Sequence, residues 1–438
     1  MKTAIKDRAI TVVLAGIGIN LALGILYTWS IFKGAIKDSI VKGGSTAFDW
    51  DIASLNDPYA VCCLVFAFVM ILAGKIQDRF GPRFTATIGG LLVGIGFIWV
   101  SQTTQYVSWI LGFGILVGAG IAFGYSSTTP AAMKWYPPDK IGKVAGVVVA
   151  GFGLASVYIA PLADYLLNHW GLQKAMLFFG IAFILVVTLL ATFLVNPPKG
   201  FSCRRESANK YYRTKVVGKE VPPLEMIKTP VFWMLWLLYF VGAGAGLMVI
   251  GSVAGMAKNS LGTNAFLAVA MLAVGNAAGR VVAGILSDKI GRRKTLGLML
   301  SFQAVLMFLA IPVIGNSDSN PFLLVLLTTF IGFNYGSNLA IFPSFTKNLW
   351  GLKNFGVNYG ILFTSWGVGG FVMSRVSQVL MSKTGSYESS FIAAGLLLIA
   401  GIIMTILIKN KKGEARKKVQ RPDKATATGV VPVLRYNK

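Results

Sequence analysis

One histidine, three cysteines and only 16 acidic residues in a chain of 438 leave little material for several kinds of chemistry. Cys62 and Cys63 stand together inside an apolar run and Cys203 stands alone in a basic one, so there is neither metal-ligand spacing nor an expected disulfide. No His or Cys constellation marks a nucleophile, and nothing calls for a metal or a cofactor. Charged residues are scarce too, at 13% where a soluble domain carries about a quarter. With 55% hydrophobic residues and a mean hydropathy of +0.67, a water-soluble fold is excluded.

The apolar residues fall in runs of roughly twenty, the length that spans about 30 Å of hydrocarbon. Reading runs against polar breaks predicts twelve spans, at 9–32, 56–74, 85–101, 108–132, 144–166, 175–195, 231–256, 265–287, 295–314, 322–344, 356–381 and 390–408. The first is too long for a signal peptide, has no small-x-small cleavage site after it, and reads as a retained helix. The formal charge of +25 would suit a nucleic acid, but its distribution points to a membrane. Of the 41 Lys and Arg residues, 33 lie in the termini and alternate loops, 6 in the opposite loops and 2 inside spans. By the positive-inside rule both termini are cytoplasmic, the lipid bilayer is the partner, and no nucleic acid is expected. The expected organisation is a six-helix bundle at 1–195, a basic cytoplasmic linker at 196–230, a second six-helix bundle at 231–408 and a basic, disordered tail at 409–438.

The two halves repeat one another. Gly74-Lys-Ile-Gln-Asp78-Arg79-Phe-Gly81-Pro-Arg83 after span two returns 210 residues later as Gly284-Ile-Leu-Ser-Asp288-Lys-Ile-Gly291-Arg292-Arg293. Pro130 with Lys134 returns as Pro343 with Lys347, 213 residues on. Two independent marks at nearly one offset argue for a duplicated unit with a site between the copies. The glycines permit a tight turn, and Asp78 and Asp288 can pair with neighbouring Arg or Lys, so these loops are read as a cytoplasmic gate; the plain alternative is a pair of positive-inside loops. The repeated loops resemble the signature of the major facilitator superfamily, and the likeness runs from Ala9 to about Ile408. Pro222-Pro-Leu-Glu-Met-Ile-Lys-Thr-Pro-Val-Phe-Trp233 and Gly356-Val-Asn-Tyr-Gly-Ile-Leu-Phe-Thr-Ser-Trp-Gly367 further resemble the oxalate/formate antiporter family and the monocarboxylate transporters. That resemblance implies an all-α membrane protein of two six-helix halves, and a small carboxylate as substrate.

Arg280 is the sharpest single signal. It stands nine residues before Lys289, about 13 Å along a helix and so near the middle of the bilayer. A charge there costs roughly 2.5 to 3.5 kcal/mol on insertion scales and needs a partner or a water-filled cavity. No acidic residue lies within four positions, and Asn276, one turn earlier, offers hydrogen bonds but no charge. An unpaired guanidinium suits a carboxylate brought from outside. The structural alternative is an ion pair with another helix, for which Asp57 and Asp164 are the candidates. Arg375 lies eight residues from Lys383 and can snorkel outwards. His169 is expected at the surface rather than in a proton relay. Tyr27, Tyr125 and Tyr335 fall in spans one, four and ten, where the resembling transporters line their cavity with aromatics.

Two departures from those relatives matter. The oxalate carriers have a lysine at the place of Trp366, a second charge for a second carboxylate. Eukaryotic monocarboxylate transporters have an acidic residue at the place of Asn276 and a lysine in span one, whereas no lysine lies between Leu14 and Phe32 here. The expected substrate-binding set is Arg280, Asn276, Tyr27, Tyr125, Tyr335 and Trp366, with Asp78, Arg79, Arg83, Asp288, Arg292 and Arg293 as the gate. The expected activity is transport of a lactate- or pyruvate-type anion together with a proton. The alternatives are an oxalate/formate-type antiporter and, more remotely, a channel or a membrane-embedded receptor or enzyme.

Overall fold

The computed structural model describes residues 2–44, 47–136, 141–198, 220–314, 320–351 and 354–407. Cys203, most of the expected linker and the tail lie outside the described residues. The described chain is helical throughout. Span one is α1 (Lys2–Leu23) and α2 (Trp29–Lys42), joined by a 3₁₀ turn at Gly24–Thr28. α3 (Asp57–Phe80) and α4 (Pro82–Val100) are the next two spans. A short α5 (Tyr106–Trp109) runs through a π-helical stretch, Ile110–Val117, into α6 (Gly118–Met133) to make span four. α7 (Ile141–Ala191) holds spans five and six, divided by a turn at Gly171 whose φ of 77° favours glycine.

In the second half a short α8 (Pro223–Ile227) precedes α9 (Pro230–Ile250) and α10 (Val253–Leu261), which form span seven with a break at Gly251 and Ser252. The remaining spans are α11 (Phe266–Ile290), α12 (Arg292–Ala310), α13 (Pro321–Trp350), α14 (Phe355–Thr384) and α15 (Glu388–Leu407). Ten stretches are long and apolar enough to cross a membrane. One of them carries both spans of α7. α14 is outside that set: its 30 residues cover about 45 Å, but it buries Asn358, Ser365, Ser374, Ser377 and Gln378 and carries Arg375. The total is twelve spans, an all-α membrane protein of two six-helix halves.

Small residues set the closest helix approach. Gly275 and Gly279 of α11, four apart, face the carbonyls of Thr329 and Phe333 on α13; Gly332 and Gly336 of α13 face those of Leu272 and Asn276. A methyl at any of the four would overlap a carbonyl oxygen. In lipid, where water drives no helix together, such small-xxx-small seams provide the van der Waals contact that holds spans in register. This seam fixes Arg280 and Asn276 on α11 against Tyr335 on α13.

Polar ties between the halves gather away from the repeated loops. Lys33 Nζ donates to Ser252 Oγ at 2.7 Å and to Gln378 Oε1 at 3.3 Å. Arg375 Nη1 lies 2.6 Å from Asp57 Oδ1 and also donates to the Ala53 carbonyl. Lys258 pairs with Asp38 at 2.8 Å. On the face of the repeated loops the polar bonds among described residues stay within one half. Arg83 Nη2 donates to the Thr192 carbonyl at 2.6 Å, and its repeat counterpart Arg293 donates to the Ile406 carbonyl at 2.7 Å. In each half an arginine thus satisfies a carbonyl at the end of the sixth or the twelfth span, where helices leave acceptors over. Asp288 sits 3.7 Å from Arg292 and is well exposed. Arg292 also meets Asn348 once that side-chain amide is turned.

Two expectations about single residues change here. Span one does not end at Phe32: α2 continues for ten residues and buries Lys33, whose ammonium finds oxygens on α14 and at the span-seven break. Arg375 does not snorkel freely, because a carboxylate 318 residues away holds it.

Candidate functional site

Where the halves meet, Tyr27, Phe66, Tyr125, Phe152, Arg280, Leu339, Phe363 and Trp366 enclose a cavity of about 10 Å³, room for one water. Every lining residue except Arg280 is aromatic or aliphatic. The rings form one connected wall: Trp366 stacks on Phe363 at 4.8 Å and meets Phe66 edge-on at 5.2 Å, while Phe152 lies edge-on to Tyr27 at 5.1 Å and to Tyr125 at 5.3 Å. Such edge-to-face contacts contribute roughly 0.5 to 1.5 kcal/mol beyond burial, so the wall is a fixed surface rather than a loose lining.

Arg280 is 6% exposed. Its Nε donates to Asn276 Oδ1 at 3.1 Å and its Nη1 to the Val149 carbonyl of α7 at 2.8 Å. The two candidate counter-ions are engaged elsewhere, Asp57 by Arg375 and by the Tyr106 hydroxyl at 2.5 Å, Asp164 by Asn168 at 3.1 Å. The guanidinium is therefore held by neutral oxygens, and two of its five N–H groups are used. Asn276 keeps its own amide nitrogen without a partner among the described residues. Gly153 of α7 borders this pair closely: a Cβ there would lie 3.4 Å from Arg280 Nε and 3.5 Å from Asn276 Cγ, in ordinary contact with both.

Behind the cavity wall, Trp366 Nε1 donates to the Tyr335 hydroxyl at 3.0 Å, and Tyr335 and Tyr27 hydroxyls lie 2.7 Å apart. The structure thus brings all six expected binding residues to one place, by two routes. Arg280, Tyr27, Tyr125 and Trp366 line the cavity, whereas Asn276 and Tyr335 reach it through hydrogen bonds to lining residues. The gate residues lie far from it, at the ends of α3, α4, α11 and α12. His169 is exposed, packed on Tyr165 at 4.2 Å, and takes no part. Sequence reasoning missed Phe66, Phe152, Phe363 and Leu339, which look like any buried apolar residue, and the Val149 carbonyl, which no side chain announces.

An arginine in an aromatic box suits a small anion with an apolar body. Comparison with known proteins gives the family. The family model of the Major Facilitator Superfamily matches residues 9–280 and 255–438. The chain is 29% identical to the MFS-type transporter YhjX of Escherichia coli over 80% of its length and 83% of the relative's. It is 26% identical to the oxalate:formate antiporter of Oxalobacter formigenes, over 94% of both chains. It is 25% identical to monocarboxylate transporter 13 of Bos taurus, over 85% of this chain and 86% of the relative. A duplicated twelve-span fold, a charge sealed between the halves and matches along nearly the whole chain lead to one conclusion: this protein belongs to the Major Facilitator Superfamily and is a multi-pass membrane transporter.

Proposed function

We infer that the protein is a secondary carrier of small monocarboxylates of the lactate or pyruvate type, moved with a proton by rocking of the two halves about Arg280. The observation that carries this reading is the guanidinium itself: buried, held among the described residues by neutral oxygens, in a box that is otherwise uncharged. A carboxylate supplies the missing charge and a short tail contacts the rings. One arginine, and Trp366 where a second cation would serve a second carboxylate, favour a single acid group.

In this reading the basic loops face the cytoplasm of the cell whose inner membrane holds the carrier. The face of Lys33, Asp57 and Arg375 is then external, and these ties close it while the gate loops are apart. Asp78, Arg79, Arg83, Asp288, Arg292 and Arg293 draw together when the other face opens. The cavity has room for about one water in this form, so a carboxylate enters only as the halves part.

A second reading, exchange of one short organic anion for another, is favoured by Asn276: among the described residues no carboxylate or histidine bonds to Arg280 to take up a proton. Proteoliposomes holding the full chain separate the two. Labelled lactate accumulating under an inward proton gradient alone supports symport, and uptake that requires an internal counter-anion supports exchange. Failure of Arg280→Gln to reduce either flux removes the arginine, and with it the carboxylate reading.

A further inference from the structure

The chain of donors behind Arg280 has one hydrogen too many. Trp366 Nε1–H, the Tyr335 O–H and the Tyr27 O–H are three donors, yet the three groups are joined by only two hydrogen bonds. Indole can only donate, so the bond at 3.0 Å runs from Trp366 to the Tyr335 oxygen. The second bond has two possible directions. If Tyr27 donated, Tyr335 would accept twice and its own hydrogen would be sealed away: Tyr335 is 0% exposed, does not line the cavity, and has no further hydrogen-bond partner among the described residues. A buried donor left without an acceptor is costly. If Tyr335 donates, every atom behind the wall is satisfied and the surplus hydrogen belongs to Tyr27, which lines the cavity beside Arg280.

Resting on the carboxylate reading above, we propose that the Tyr27 hydroxyl is the second donor to the bound carboxylate, and that Trp366 and Tyr335 are positioning residues that turn its hydrogen towards the cavity. The donor-only indole sets the direction of the whole chain; the tyrosines alone are free to reverse it. One carboxylate oxygen is taken by Arg280 and the other by Tyr27. The site then offers hydrogens and no acceptor along this wall, and it selects the ionised acid over the protonated acid. Trp366 acts without giving its N–H to the ligand.

The test measures binding of formate, acetate, lactate, pyruvate and oxalate to the purified full chain by calorimetry. The variants are Tyr27→Phe, Trp366 replaced by 3-benzothienylalanine (sulfur in place of N–H at nearly unchanged volume), the two together, and Arg280→Gln as reference. Each of the first two weakens the best-bound acid about tenfold, and together they weaken it no further, because both remove the same hydrogen bond; additivity is expected only of independent groups. Should the benzothienyl chain not fold, Tyr335→Phe completes the same cycle with Tyr27→Phe. Wild-type affinity in the Trp366 variant, or additive losses in the cycle, with binding lost in Arg280→Gln, overturns the proton order alone. Undiminished binding in Arg280→Gln, or no binding of any of the five acids to the wild type, overturns the carboxylate reading and this proposal together.

Discussion

Arg280 of α11 and Val149 of α7 join the two halves at the cavity, side chain to backbone, through a bond of 2.8 Å. The carbonyl has a second lone pair besides the one its own helix uses, and it takes one guanidinium hydrogen without bringing a charge. A carboxylate arriving at the same hydrogens forms charge-assisted bonds about twice as strong and displaces it. Arg280→Gln should therefore abolish accumulation while the protein still inserts, and Arg280→Lys should retain weak binding, keeping the charge but losing the fixed planar donors of the guanidinium. Substrate affinity and surface expression of both variants are the measurements.

Gly153 of α7 borders both the guanidinium and Asn276. An alanine Cβ at 3.4 to 3.5 Å from Arg280 and Asn276 is in ordinary contact, so Gly153→Ala should bind substrate within about threefold of wild type. Gly153→Leu has no such room and should push Arg280 off Val149, raising KM about tenfold or more, with larger acids losing most. Equal losses for formate and pyruvate would show that residue 153 does not border the ligand.

Asn276→Asp places a carboxylate where an amide oxygen now lies 3.1 Å from Arg280 Nε. The new acid, paired with the arginine, should weaken anion binding at neutral pH by about 1.4 to 2.8 kcal/mol, roughly ten- to a hundredfold. Binding should return as the pH falls and the new carboxyl is protonated, since the competing charge then disappears. Affinity measured against pH for both proteins checks this, and a flat profile in the variant would separate residue 276 from the anion.

Asp57 and Arg375 close the face opposite the repeated loops. Asp57→Asn removes the charge from a pair whose arginine side chain is 37% exposed, so solvent screens part of the loss, and the expected effect is a shift in gate opening rather than unfolding. The Ser377 hydroxyl, one turn from Ser374 and buried without a partner among the described residues, reports that opening. In a chain lacking native cysteines, Ser377→Cys should react several-fold faster with a maleimide applied from that face when Asp57 is Asn. Equal rates would mean that the pair does not govern the gate.

Trp366→Lys puts a second cation at a wall position that is 1% exposed. Preference should move from monocarboxylates towards oxalate, read as stronger inhibition of lactate uptake by oxalate. No gain in a folded variant would mean that the lysine cannot turn into the cavity.

The parts of this architecture visible in the sequence are those with a one-dimensional signature. Apolar length marks the spans, alternation of basic loops gives a direction, and a lone guanidinium in an apolar run marks Arg280. A span boundary at Phe32 treats the charge of Lys33 as the end of a helix, whereas its ammonium is met by oxygens on α14 and at the span-seven break. Asp57 and Arg375 each read as a terminal charge, for nothing local links residues 318 apart. The break at Ser252 carries no proline, and the Val149 carbonyl has no residue type. Pairings across the interface of two halves are properties of the fold and leave no mark within either strip of sequence.

The polar burden of α14 has a consequence for how the protein is made. A span that partitions poorly into lipid on its own gains little by leaving the translocation machinery alone. α9 and α3, which flank α14 in the finished structure, precede it in synthesis and offer it packing surfaces and polar ties, Trp236 of α9 donating to the Thr364 hydroxyl and Asp57 of α3 taking Arg375. Asn358, for instance, gives its amide to the Val221 carbonyl just ahead of α9. Span eleven is thus enlisted by helices already in the membrane, and a lesion in α3 or α9 should surface first as an immature chain degraded before it leaves the site of insertion.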